Sequence, residues 1–142
     1  MSDAREVPGS DEPPATRIWK NRWFADFAHS NAISDAQLCE AIERAERGLI
    51  DADLGGGVIK QRIARPGQGR SGGFRTVVFF KAARRAFFVF GFAKSRRENL
   101  APTELRFYKS VAPDALQQDE SALEAQMKTG ELIEVFCNEK DL

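Results

Sequence analysis

Between Gly55 and Arg97 the chain reads GGGVIKQRIARPGQGRSGGFRTVVFFKAARRAFFVFGFAKSRR, and this stretch constrains the fold more than any other. Three runs in it, Val58 to Arg65, Phe74 to Lys81 and Ala86 to Lys94, are rich in β-branched and aromatic residues and alternate with a period of two. Alternation places Lys60 and Arg62 on one face of the first run, with Ile59, Gln61 and Ile63 on the other. In the second run it groups Arg75, Val77, Phe79 and Lys81 against Phe74, Thr76, Val78 and Phe80. In the third it puts Phe88, Phe90, Phe92 and Lys94 together. The links are short, Pro66 to Gly73 and Ala82 to Arg85, so the runs form an antiparallel meander, with the first link a flexible connection.

Charge is distributed unevenly over this framework. From Lys60 to Lys109 there are thirteen Lys and Arg against two acidic residues, Glu98 and Glu104, a net of +11. The whole chain sums to zero, so eight Lys and Arg against nineteen Asp and Glu leave −11 elsewhere. A basic sheet inside an acidic frame calls for a polyanionic partner such as phosphate. Spacing alone leaves open a solvated basic face, a docking surface for an acidic protein, or a site for an RNA phosphodiester. Lys60, Arg62, Arg75, Lys94 and Arg96 come from neighbouring strands or strand ends, so they can converge on one cleft.

The flanks read as helices. Residues 1–15 (MSDAREVPGSDEPPA) have little to bury and are expected to form a disordered tail, leaving 16–142 as a single domain. A short extended piece at Thr16 to Trp19 precedes a helix that Asn21 can cap. Ser34 and Gln37 form a capping box for a second, with Leu38, Ile42, Ala45 and Leu49 at helical spacing and Gly48 as its stop. Asp51 to Gly57 reads as a turn. Pro102 and Thr103 open a third helix, which Pro113 is expected to kink or end. A further helix from about Asp119 to Lys128 stops at Gly130, and Glu131 to Cys137 alternates as a last strand.

Several chemistries find little support. Gly67, Gly69 and Gly72 spell G-x-G-x-x-G, but the motif runs into a strand and not into a helix whose N-terminus could hold a pyrophosphate. His29 sits near an expected helix end and is the only histidine, so a Ser/His/Asp or Cys/His scheme has a single candidate and thin support. Cys39 and Cys137 fit no metal-binding spacing and read as small apolar fillers, so neither a metal nor another cofactor is expected. No apolar run approaches the roughly 20 residues of a membrane span. The first thirty residues lack a secretion signal, so a cytoplasmic location is expected, without a membrane partner.

The words GLIDADLGGGVIKQRIARPGQGRSGGFRTVVFF and RAFFVFGFAKSRREN, supported by WKNRWFADFA and GELIEV, resemble the RelE/HigB-like toxins of bacterial type II toxin–antitoxin systems. The resemblance implies an α+β, RelE-like fold: a twisted antiparallel sheet of about four strands packed by two N-terminal helices, with a C-terminal helical segment. It implies a ribosome-dependent mRNA endonuclease in which the RNA's own 2′-hydroxyl attacks the scissile phosphate. Gly73-Phe74-Arg75 matches the family's Gly-Tyr-Arg strand start, which makes Arg75 the residue holding that phosphate. Lys60 and Arg62 match the family's basic residues on the preceding strand, and Lys94 and Arg96 its basic turn. Arg65, Arg70, Lys81 and Arg97 are assigned to RNA binding around this centre. Leu100 stands where RelE-branch relatives have a tyrosine, so that ring's role is not carried over, and Tyr108 is read as packing. Implied partners are a cognate antitoxin with a helix-turn-helix, the ribosome and mRNA. Related ParE-type toxins target gyrase, and a non-catalytic RNA or protein binder is the remaining alternative.

Overall fold

The structure is a computed structural model describing residues 15–65, 67 and 69–137. The expected tail therefore lies, but for Ala15, outside the described residues. The chain runs β1 (Arg17–Asn21), α1 (Arg22–Ser30), α2 (Asp35–Glu46), β2 (Ala52–Gly55), β3 (Val58–Arg65), β4 (Gly69–Lys81), β5 (Arg85–Ala93), α3 (Pro102–Gln117), α4 (Glu120–Thr129) and β6 (Leu132–Val135). The strands form one sheet in the order β2-β3-β4-β5-β1-β6.

The α+β class and the central meander agree with the sequence reading, but the sheet has six strands where about four were expected. Nor is it wholly antiparallel. The short extended piece at the N-terminus is β1, which runs parallel to β5 and antiparallel to β6, so it joins the last strand to the meander. The turn expected at Asp51 to Gly57 contains β2, hydrogen-bonded to β3 at the other edge. The glycine-rich link is mostly strand, because β4 already begins at Gly69.

The expected packing by two N-terminal helices covers only half of what is seen, because helices lie on both faces of the sheet. α1 and α2 bury Phe24, Ala28, Leu38 and Ile42 against Ile59, Ile63, Phe74, Val78 and Phe88. On the opposite face α3 and α4 bury Ala112 and Leu123 against Trp19, Val58, Val77, Phe79 and Phe87. The caps are local and follow the sequence signals. The Asn21 side chain accepts from the Phe24 N–H at 2.7 Å, Ser34 and Gln37 complete their capping box, and Gly130 closes α4 in the left-handed conformation. α3 does not stop at Pro113. It continues to Gln117, because the missing N–H forfeits one bond on the exposed side of the helix.

Two further expectations are corrected. Phe88 does not share a face with Phe90 and Phe92. Val77 pairs with Phe90 while Val78 pairs with Phe88, so Val89 is an extra residue in β5, a bulge that inverts the alternation beyond it. The cysteines are not isolated fillers either. Cys39 on α2 and Cys137 just past β6 are joined by a disulfide, with Cα atoms 5.6 Å apart.

Candidate RNA-phosphate site

The face carrying Val58, Val77 and Phe79 is covered by α3 and α4, but the same face continues along β3 and β4 as Lys60, Arg62 and Arg75. Arg62 is the cross-strand partner of Arg75, and Lys60 the partner of Val77. At the end of β5 the Lys94 N–H donates to the Gly73 carbonyl at 3.0 Å, tying the following turn to β4. Together these elements enclose a hollow of about 260 Å³ lined by Lys60, Arg62, Arg75 and Lys94, with Asp51, Ala52, Glu98 and Asn99. Four cations from two strands and the turn after a third thus face one small solvent-open space.

The close approach that makes this possible needs a glycine. A Cβ on Gly73 would sit 2.2 Å from the Ile63 carbonyl oxygen and 2.7 Å from the Arg65 nitrogen, so no other residue fits between the strands. Arg75 is only 6% exposed although it carries a full charge. Beneath the hollow, the side chain of the fully buried Gln61 accepts from the Asp51 N–H at 2.7 Å and donates to the Ala41 carbonyl at 2.9 Å. The Asp51 carboxylate accepts from the Arg62 N–H at 2.7 Å and from Arg44 at 3.3 Å, while Arg44 also donates to the Arg62 carbonyl at 2.6 Å. The backbone that carries Arg62 is therefore clamped on both its polar groups.

Crowding shows in the titration of the cluster. Burial, then the charges of Arg75 and Arg62, lower the pKa of Lys60 below the ordinary lysine value. Its ammonium donates to the Asn99 side chain at 3.0 Å. Burial and then Arg62 lower Arg75 as well, with Asp51 opposing the shift. An arginine so placed keeps its proton at any physiological pH.

The remaining sequence-assigned residues lie elsewhere. Arg96 does not reach this hollow; with Arg65 it lines a second one, beside Trp23. Arg65 also lies over the Phe74 ring at 4.8 Å. Arg97 is engaged by Glu104 through two bonds of 2.9 and 3.1 Å and covers the Phe90 and Phe92 rings. Lys81 ends β4 opposite Arg85, six residues and roughly 20 Å from Arg75. Arg70 lies in β4, and its side chain is outside the described part of the structure. Asp51, Glu98 and Asn99 were not singled out from the sequence; their proximity to the basic strands was the only signal. Tyr108 packs against Phe79 and Phe90, as its reading predicted. Among the described residues no group of His, Cys, Asp and Glu could hold a metal ion, and no helix is long and apolar enough to cross a membrane.

A family model described as the RelE toxin of the RelE/RelB toxin–antitoxin system matches residues 16–135. The chain belongs to the RelE toxin family. That span takes in the six strands and four helices of the described residues, including the Gly73-Phe74-Arg75 strand segment. Membership in the RelE family identifies the chain with the toxin side of a toxin–antitoxin pair and implies an antitoxin as its partner. No curated protein sequence matches the chain.

Proposed function

We propose that this RelE-family toxin is a ribosome-dependent mRNA endoribonuclease that halts translation by cutting the message. The observation that carries the reading is the meeting of Lys60, Arg62, Arg75 and Lys94 around one solvent-open hollow. In the proposed reaction the 2′-hydroxyl of one nucleotide attacks the adjacent phosphorus and gives up its proton to solvent water in the open hollow. The new bond closes a 2′,3′-cyclic phosphate, the bond to the 5′-oxygen breaks, and the next nucleotide leaves with a 5′-hydroxyl. Negative charge builds on the phosphorus oxygens between these events, so cations fixed before the reaction stabilise the transition state more than the ground state.

Each side chain has a role suited to its chemistry. Arg75, buried on β4, holds the scissile phosphate with a fork that cannot deprotonate. Arg62 faces it from the neighbouring strand. Lys60 carries the proton needed by the leaving 5′-oxygen, because its lowered pKa makes the ammonium a better acid than an ordinary lysine. Lys94, exposed on the turn, binds an adjoining phosphate. The requirement for a 2′-hydroxyl restricts the substrate to RNA. Residues 16–142 act in this reading as one domain, in the cytoplasm, restrained by an antitoxin of the helix-turn-helix kind.

The test is Arg75→Ala in a translating extract, with message 5′ ends mapped. Wild-type toxin gives cuts in phase with the reading frame. The variant, with unchanged circular dichroism, loses cleavage by about 10²–10³-fold, as loss of a transition-state donor does elsewhere. Unchanged cleavage would remove the proposed centre, and gyrase-dependent DNA breakage with intact messages would replace the activity altogether.

A further inference from the structure

Beyond the phosphate hollow, the turn that carries Lys94 also forms the wall of a second one. This hollow is about 480 Å³ and is lined by Trp23, Phe27, Asn31, Arg65 and Arg96, with Gly91 to Ala93 and Ser95. The volume lies within the roughly 300–1,000 Å³ usual for small-ligand sites. Lys94 faces one hollow and Arg96, two residues on, faces the other.

The second hollow exists because β5 outruns its neighbour. β1 pairs with β5 only from Arg85 to Phe88, so the segment from Gly91 to Ala93 has no strand on that side and α1 lies there instead. The Asn21 side chain donates to the Val89 carbonyl at 3.1 Å, which fixes the start of α1 against the bulge. Gly91 lets α1 approach, since a Cβ there would meet the Phe27 ring at 2.7 Å. The result is an indole, Trp23, that is 46% exposed yet immobilised against Phe27 at 5.3 Å and Phe90 at 4.7 Å between ring centroids. Large apolar rings are not normally left this open on the first turn of a helix whose other aromatic residues are covered. Two guanidinium groups beside it, and no acidic side chain in the lining, give the hollow an affinity for anions as well as for flat rings.

We propose that this second hollow is a nucleotide subsite, in which an unpaired base lies on the exposed part of the Trp23 ring and its phosphate is held by Arg65 and Arg96. The inference rests on the reading of the first hollow as the seat of the scissile phosphate, and it gives the RNA a path: one phosphate against Arg75, then across the Lys94–Arg96 turn to the base platform. Asn31 donates its amide N–H to the Phe27 carbonyl at 2.9 Å, which leaves its side-chain oxygen to accept a bond from the base.

The two tryptophans make the subsite directly observable, because Trp19 is fully buried while Trp23 is not. The probe is a four-nucleotide RNA with 2′-O-methyl sugars, which lacks the attacking hydroxyl and remains uncut. Its abasic counterpart of equal charge is the comparison. Binding of the tetranucleotide to the full chain is expected to quench the exposed fluorescence, and the abasic strand is not. Trp23→Leu is expected to weaken tetranucleotide binding by roughly 5- to 150-fold, the factor given by about 1–3 kcal/mol of base stacking, while abasic binding holds. Arg96→Gln, a milder surface change, weakens both strands. Arg75→Ala weakens both while leaving the quench at saturation intact. Equal affinity of Trp23→Leu and wild type for the tetranucleotide overturns the subsite, as does absence of binding, or a Trp23→Leu defect confined to antitoxin binding. If Arg75→Ala alone abolishes binding, the catalytic reading stands and the subsite falls; if Trp23→Leu alone does so, the reverse holds.

Discussion

Breaking the covalent tie between Cys39 and Cys137 is expected to lower stability far more than a substitution at a half-exposed and an exposed position normally does. The bond closes a loop with a sequence separation of 98 residues. In the chain-entropy description a loop of that length restrains the unfolded ensemble by about 4.7 kcal/mol at 25 °C, and natural bonds deliver roughly 2–4 kcal/mol of it. With a urea slope of about 1.5 kcal/mol per molar, Cys137→Ser should move the unfolding midpoint down by roughly 1.3–2.7 M. Cys39→Ser and the double variant should coincide with it, because each removes the same bond. Reductant should bring wild type to the same midpoint and leave all three variants unmoved. The assay is urea unfolding followed by tryptophan fluorescence, paired with alkylation and mass measurement of the oxidised, denatured protein. Two alkylated thiols in that sample, with wild-type midpoints equal in the presence and absence of reductant, would refute the reasoning.

Gly73→Ala should be disabling without any change of charge. Its Cβ would lie 2.2 Å from the Ile63 carbonyl, so β3 and β4 must part, at a cost of about 1–3 kcal/mol. Thermal melting should show that loss together with reduced message cleavage, and unaltered values of both would show that the strands are not in contact there. Lys60→Met should stabilise the fold at neutral pH. The folded-state pKa of Lys60 is lowered, so its charge opposes folding below that pKa, and the penalty is relieved as pH rises toward the unfolded value. The advantage of the methionine variant should therefore shrink on going from pH 7 to pH 10.5, as read by denaturant midpoints; an advantage that grows with pH would reverse the sign of the argument.

Much of this architecture is legible locally. The Ser34–Gln37 box, the cap at Asn21 and the period-two separation of Lys60 and Arg62 from Ile59, Gln61 and Ile63 depend on neighbours within a few residues. Features made by distant residues are not. β1 gains its place only by pairing with β5 and β6, both more than sixty residues away. A lone pair of cysteines 98 positions apart carries no spacing signal. The site divides in the same way. Alternation placed Lys60, Arg62 and Arg75 on one face each, and strand pairing joined them. Counting charges could not show that Arg97 is taken up by Glu104, that Arg96 turns to another hollow, or that Asp51 reaches under the basic strands to grip Arg62.

The bulge at Val89 gives β5 two allegiances. Side chains up to Phe88 answer to one helical layer by one parity, and those from Phe90 onward answer by the opposite parity. A single inserted or deleted residue at this position would therefore exchange the aromatic rings between layers and advance or retard the turn that delivers the Lys94 ammonium. Strand length and chemistry are geared together here, so a relative that keeps every cation but lacks the extra residue would present a differently assembled cleft.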